Sequence, residues 1–264
     1  MKEEVSVEKA VPEDAGILAD ISKRAFDSDV EVGAPGEGGP DGYDSIQAHR
    51  RDTESTRLDY LKVLYNGKIV GGMRVYKMGE GHYEIFGVFI DPDYHRKGIG
   101  KKSFEMILNR YPDGMRWTLD TPNWNIRTKN FYEGLGFVQY GVMRWVPTFE
   151  LRAYELILGK SLESKIRAIR DLVEGMQHIA VEGLVEQKPE PREVHSKKDD
   201  KTHRVCDVLL KDETSSVKLV LWDGFIRQVE VGERIRIEDG YVNSFIDDLQ
   251  LNVSPNGRII ILSE

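Results

Sequence analysis

The spacing of apolar positions changes about 160 residues into the chain. The first part alternates strand and helix signals. VSVEKAV (5–11) has the alternation of a short strand, and PEDAGILADISKRAF follows with Pro12 at a helix start and apolar residues at helical spacing. A loop-like stretch from Asp27 to about Thr56 carries Gly33, Gly36, Gly38, Gly39 and Gly42 with Pro35 and Pro40. Three strand-like runs, YLKVLYN, IVGGMRVYKM and YEIFGVFI, are joined by NGK and GEGH turns and predict a meander. GIGKKSFEMILNRY reads as a helix, MRWTLDT as a strand, and NIRTKNFYEGLG as a helix ended by Gly136. FVQYGVMRWV and TFELRAYELIL read as two further strands.

SLESKIRAIRDLVEG then predicts a helical linker over 160–176. Beyond it the pattern is one of short strands: HIAVEGLVEQ, RVCDVLL, SVKLVLWD, ERIRIEDGYV, LQLNV and RIIIL. Five or six strands without a long helix suggest a small closed barrel. The expected class is therefore α+β: a domain over 1–159 with a mixed sheet and flanking helices, and an all-β barrel over 177–264.

Composition narrows the function classes. The 264 residues carry a net charge of −8, and both halves are net acidic, which excludes a protein that coats nucleic acid by bulk charge. One cysteine, Cys206, excludes an internal disulfide framework and a multi-cysteine zinc site, and it fits a reducing cytosol. His195 and His203 are too isolated to argue for a metal, so none is expected. No run approaches the ~18 apolar residues of a membrane span, and the acidic start MKEEVSVEKA lacks a signal-peptide core. A cytoplasmic protein without a membrane partner is expected.

The densest chemical signal is FGVFIDPDYHRKGIGKKSFEM. A strand ends at Asp91-Pro92, a tight turn follows, and Gly98-Ile99-Gly100 opens a helix. Glycine lets the backbone approach a ligand, and the free N–H groups of a helix start attract phosphate. Arg96, Lys97 and Lys101 add positive charge. There is no G-K-[ST], so this is not a Walker loop, and Ser103 stands where a dinucleotide fingerprint would need glycine.

This stretch resembles motif A of the GNAT N-acetyltransferase superfamily, [QR]-x-x-G-x-[GA] after a strand. The helix from Asn125 through Tyr132 to Gly136-Phe137 resembles its motif B, about 30 residues further on. His95 stands where the family has Gln or Arg, Arg96 where Gly is common, and Thr128 where Ala is usual. The resemblance implies acetyl-CoA as donor. The backbone of Val88, Phe89 and Ile90 would pair with the pantetheine arm. The pyrophosphate would sit on the amides of His95, Arg96, Lys97, Gly98, Ile99, Gly100 and Lys101, with Asn125 approaching the cofactor. The chemistry needs a base for the amine and an acid for the leaving thiolate. Family spacing implies Glu84 as base, acting through water, and Tyr132 as acid. His82, beside a turn, is a lesser candidate for the base. Asp27, Asp29, Glu31, Glu37, Asp41 and Asp44, with no Lys or Arg between residues 25 and 49, would favour a cationic acceptor: a protein lysine, an N-terminus, a polyamine or an amine on tRNA.

The C-terminal strands resemble an OB-fold, and more closely the archaeal single-stranded-DNA-binding proteins of the replication protein A type, over about Ile166 to Ile261. Gly183-Leu-Val, Asp212-Glu-Thr, Leu221-Trp222-Asp223 and Ile237-Glu-Asp-Gly-Tyr241-Val carry this likeness, which implies an archaeal source. Ser215 stands where the family's turn has Gly, as do Asp247 and Asp248 in a later turn. Binding of single-stranded DNA or RNA needs aromatic platforms and a cationic groove. All four aromatics after residue 160, Trp222, Phe225, Tyr241 and Phe245, fall within one short span. Arg192, Lys197, Lys198 and Arg204 lie in or beside the loop joining the first two strands, and Lys218 shares a strand face with Trp222. The leading reading is an acetyltransferase whose barrel recruits nucleic acid or a nucleic-acid-bound target. A single-strand-binding module with a CoA-sensing domain, and an enzyme whose barrel binds protein, stay open beside it.

Overall fold

Leu18, Ile21 and Ala25 form one buried stripe of the helix after Pro12, so the apolar spacing settles which side of that helix meets the sheet. The computed structural model describes residues 4–146, 149–158, 166–196, 200–246 and 248–263, and of these all side chains but Trp145 and Val146. The elements of the first part are β1 (Val5–Lys9), α1 (Ala15–Asp27), α2 (Ile46–Glu54), β2 (Leu58–Tyr65), β3 (Lys68–Gly79), β4 (His82–Ile90), α3 (Ile99–Arg110), β5 (Arg116–Pro122), α4 (Ile126–Glu133), β6 (Val138–Val146) and β7 (Phe149–Ile157). Strand order is β1-β2-β3-β4-β5-β7-β6. The first four strands pair antiparallel, and β4 meets β5 in parallel. One face of this sheet packs Tyr83, Ile85, Trp117 and Leu119 with Phe104 and Ile107 of α3 and Tyr132 of α4. The other packs Tyr60 and Phe89 under α1. The stretch expected as a loop up to Thr56 includes α2, which Ser45 caps by accepting the Ala48 N–H.

The second part contains β8 (Ile166–Arg167), β9 (Ile179–Gln187), β10 (Arg192–Ser196), β11 (Lys201–Lys211), β12 (Ser216–Trp222), β13 (Arg234–Phe245) and β14 (Asp248–Leu262). Pairing runs β9-β11-β12-β14-β13 and returns to β9, so the barrel closes. Only β12 and β14 are parallel within it. That circuit is the five-stranded Greek-key barrel of an OB-fold. LQLNV and RIIIL, read as separate strands, are one continuous strand, β14. Val181, Val208, Leu219, Ile237 and Leu251 fill its interior.

Two expectations change. The helix read over 160–176 is not formed by its described residues: 166–176 hold a two-residue strand beside β9 and a single 3-10 turn at Ile169–Asp171. Asp212 draws this segment out of helix by accepting the Ile169 N–H at 2.7 Å. The chain divides into two compact units, but Gln139–Ala153 groups with the barrel rather than with residues 1–138. In that unit Val142 pairs with Ile261.

Candidate active site and barrel face

β4 is the strand on which the first site depends. His82, Tyr83 and Glu84 stand beside Arg116, Trp117 and Thr118 of β5. Past that rung the two strands share no further pairing among the described residues, while β3 stays beside β4 as far as Ile90. A gap therefore opens on the β5 side of Val88, Phe89 and Ile90. Gly87 helps to set it: at φ 61 it forms a bulge where the β3–β4 register slips. A Cβ there would lie 2.8 Å from Arg74 Nη1. The bulge also turns the strand over, so that Tyr83 and Ile85 face α3 and α4 while Phe89 faces α1.

The strand ends at Asp91, whose carboxylate accepts from the Asp93 N–H at 3.2 Å and from Arg24 Nη2 at 2.8 Å. His95 closes the turn: its Nε2–H donates to the Ile90 carbonyl at 2.8 Å and its N–H to the Pro92 carbonyl at 3.1 Å. Its amide is thus engaged within the turn, which narrows the expected amide set of 95–101 to 96–101. Arg96 has φ 59, which explains why glycine suits that position, and Gly98 has φ 74. The first helical bond of α3 runs from the Lys102 N–H to the Gly98 carbonyl at 3.1 Å. The N–H groups of Arg96, Lys97, Gly98, Ile99, Gly100 and Lys101 meet no protein acceptor among the described residues, as expected at a helix start. Ile99 buries its side chain and offers only its backbone. Lys97 Nζ rests 4.7 Å from the centre of the Tyr94 ring.

Asn125 is buried and caps α4, its Oδ1 accepting the Thr128 N–H at 3.1 Å. Thr128, in the place of the usual alanine, bonds the Thr121 hydroxyl at 2.6 Å. Arg127 pairs with Asp29 and, with the Asn125 side chain, favours its charged form; burial outweighs both and pushes the carboxyl above the usual range. Tyr132 is buried among Phe104, Phe131, Phe137 and Tyr154. Burial first, then the nearby carboxylates of Asp120 and Asp29, raise its phenol above the ordinary tyrosine range.

Glu84 is half-buried on the sheet face opposite Tyr83, across from Tyr76 of β3 and Thr118 of β5. His82 joins Thr118 Oγ1 through Nε2 at 2.9 Å. Sequence reasoning passed over Asp120. It shares the face of Thr118, two residues past the last β4–β5 rung, and burial pushes its carboxyl up to about 6. The sole sequence signal is an acid inside the apolar run MRWTLDT.

The acidic stretch is less uniform than its composition suggests. Asp27 is paired with Lys23 and accepts the Tyr43 hydroxyl, and Asp29 holds Arg127. Glu31, Glu37, Asp41 and Asp44 are exposed.

On the barrel, Trp222 is 41% exposed and Phe245 62% exposed. Phe225 packs against the core, and Tyr241 is half-buried on the outer face beside Asn252. The register sets Trp222 and Phe245 near opposite ends of the β12–β14 face. Arg192 pairs with Asp207 at 2.9 Å and Lys218 with Asp248 at 3.0 Å, so two of the expected phosphate contacts already have carboxylate partners. Arg204 is exposed, and its N–H donates to Asp223. Lys197 and Lys198 lie outside the described residues, as does Asp247. Ser215 replaces glycine without strain because Asp212 builds that turn: its Oδ1 accepts from the N–H groups of Thr214 and Ser215.

Residues 24–137 match the acetyltransferase (GNAT) family. The chain is 35% identical over 71 residues to an uncharacterized protein of Bacillus subtilis, YrkN, covering 26% of this chain and 38% of that one. It is 27% identical over 96 residues to the single-stranded DNA binding protein Ssb of Saccharolobus solfataricus, covering 36% of this chain and 64% of that one. The chain thus spans less than two thirds of each of these relatives. Among solved structures, the ribosomal-protein-S18-alanine N-acetyltransferase of Escherichia coli is 18% identical, with TM-score 0.48, over 61% of this chain and 98% of that one. Residues 24–137 thus carry a match to the GNAT family, and the second unit, an OB-fold by its strand circuit, is similar in sequence to Ssb.

Proposed function

We propose that the first unit transfers an acetyl group from acetyl-CoA directly to an amine, in the cytoplasm. The barrel brings that unit to single-stranded nucleic acid or to a target bound to it. The observation that carries the first half is the gap beside Val88–Ile90, which leads straight onto the amides of residues 96–101. An extended arm ending in a pyrophosphate needs that combination: open strand backbone, then a helix start with free N–H groups. Arg96 and Lys101, both exposed, add charge around it. Acetyl-CoA supplies the activated thioester. Tyr132 stands ready to protonate the leaving sulfur, and the family resemblance gives the task of base to Glu84. Glu31, Glu37, Asp41 and Asp44 favour a cationic acceptor over a neutral one.

The barrel reading rests on Trp222 and Phe245, aromatic surface left in water along one face. Because Arg192 and Lys218 are paired with carboxylates, stacking contributes more to this binding than charge does.

The test has two arms. Release of the CoA thiol from acetyl-CoA is measured with spermidine, Nα-acetyl-lysinamide, an alanine-initiated tetrapeptide and unmodified tRNA. Turnover with one of them supports the enzyme; acetyl-CoA binding without turnover on any favours a sensing domain. In the second arm, fluorescence anisotropy follows short single-stranded DNA and RNA with the wild type and Trp222→Ala. Binding that weakens in the variant supports the nucleic-acid reading, and no binding at low salt turns the barrel toward protein.

A further inference from the structure

Resting on the reading of acetyl-CoA at the parted strands, we propose that Asp29 and Arg127 are positioning residues: their ion pair ties the acidic segment after α1 to the start of α4 and braces the mouth of the gap. The helices it joins lie on opposite faces of the sheet. α1 packs on the face of Tyr60 and Phe89, and α4 on the face of Ile85 and Leu119. A sheet paired to its end would keep them apart. Among the described residues β4 and β5 part after Glu84 and Thr118, and being parallel they end at the same edge, at Ile90 and Pro122. α4 opens just beyond β5, with Asn125 as its cap and Arg127 in its first turn.

Two ion pairs reach this edge from one rigid piece of chain. Arg24, in the last turn of α1, holds Asp91 at the end of β4 at 2.8 Å. Asp29 holds Arg127 beyond the end of β5. No loop separates the two anchors, because α1 ends at Asp27 and a 3-10 turn runs from Ser28 to Val32. One segment is therefore pinned to both of the strands that part. Further contacts keep it there. Arg127 Nη2 also donates to Ser28 Oγ at 3.2 Å. Gly33, at φ 110, passes close to the Trp124 carbonyl, which would lie 3.6 Å from an added Cβ. The far end of the acidic segment is fastened as well: the Tyr43 hydroxyl donates to Asp27 at 2.9 Å, and the His49 Nε2–H to the Tyr43 carbonyl at 2.9 Å.

Charge makes the pair more than packing. The Asp29 side chain is 13% exposed and that of Arg127 32%. Arg127 sits where a helix start disfavours a cation, and that turn has no acid of its own. Removing either partner leaves the other's charge uncompensated in a partly buried site. Acetyl-CoA seated between β4 and β5 meets both pinned edges, so it should stiffen the segment that leads to Glu31, Glu37, Asp41 and Asp44. Linkage makes the effect mutual: whatever loosens that segment weakens cofactor binding.

The experiment follows amide hydrogen exchange in the full chain, free and with acetyl-CoA, beside calorimetry of acetyl-CoA binding. It compares wild type, Arg127→Ala, Asp29→Asn, their double variant, and the charge swap Asp29→Arg with Arg127→Asp. In wild type, acetyl-CoA is expected to slow exchange at residues 28–33 as well as at residues 96–101. Arg127→Ala should keep the second effect, lose the first, and bind acetyl-CoA about tenfold more weakly. Asp29→Asn should behave alike, and the double variant no worse than either single one. The swap puts an acid in the first turn of α4 and should recover most of the affinity and the slowed exchange at 28–33, which a loss of packing alone would not allow. Slowed exchange at 96–101 with none at 28–33 in wild type, or losses that add in the double variant, overturns the brace and leaves the cofactor reading standing. Acetyl-CoA that slows exchange at neither place removes the reading beneath it, and the brace with it.

Discussion

Burial holds the Asp120 carboxyl well above its ordinary range, so removing its charge should stabilise the first unit. The carboxyl titrates at about 6 in the fold against 3.8 in an ordinary exposed chain. A tenfold change in proton affinity is worth about 1.36 kcal/mol, so ionising Asp120 inside the fold costs up to about 3 kcal/mol. The side chain keeps some contact with water, and screening brings the figure to about 1–2 kcal/mol. The sign follows from proton counting. Between pH 3.8 and about 6 the folded chain binds more of this proton than the unfolded chain does, so stability declines across that window and stays lower above it. Asp120→Asn removes the decline. The variant should therefore gain about 1–2 kcal/mol over wild type at pH 8 and much less at pH 4.5. Urea dependence of amide hydrogen exchange in β5 and α4 reads this unit without the barrel. A variant destabilised at pH 8, or one with the same gain at both pH values, would refute the reasoning. Burial would then not be the influence that dominates at Asp120.

Other consequences are as direct. Gly87→Ala places a methyl against Arg74 at a φ of 61, and it should cost about 1–3 kcal/mol while weakening acetyl-CoA binding, read by melting and calorimetry. Asp212→Ala removes the carboxylate that accepts from the Ile169, Thr214 and Ser215 N–H groups, and it should destabilise the barrel by about 1–3 kcal/mol at pH 7. Burial pushes that carboxyl up, but those bonds outweigh it and hold it at about 2, so the stabilisation is full above pH 3.8 and is lost as pH falls toward 2. For the barrel, the log–log salt slope of oligonucleotide binding should be no steeper than about −3. Arg192 and Lys218 have carboxylate partners, and the sequence puts ~4 further cations in and beside that loop (Lys197, Lys198, Lys201 and Arg204). A much steeper slope would mean that phosphate displaces those carboxylates.

The parts legible in the sequence are those in which a local pattern has one structural outcome. Gly98 before an amphipathic run predicts a helix start, and α3 begins at Ile99 with its first-turn amides available. Alternating apolar residues and regular turns predict the barrel, whose interior holds Val217, Leu219 and Leu221 of β12. The linker misreads because helical spacing in KIRAIRDLVEG competes with a distant partner: Asp212, far along the chain, takes the Ile169 N–H. The gap beside β4 is illegible for a related reason. Spacing along β4 finds Glu84, but no spacing along β4 reveals where β5 leaves it. That departure depends on the bulge at Gly87, on Arg74 filling the space a side chain would need, and on Asp52 holding Arg74 at 2.6 Å. A gap between strands is a property of two strands and their neighbours together. Asp120 becomes visible only once both strands are in place, when a carboxylate inside an apolar run proves to border the gap instead of lying sealed beneath the sheet.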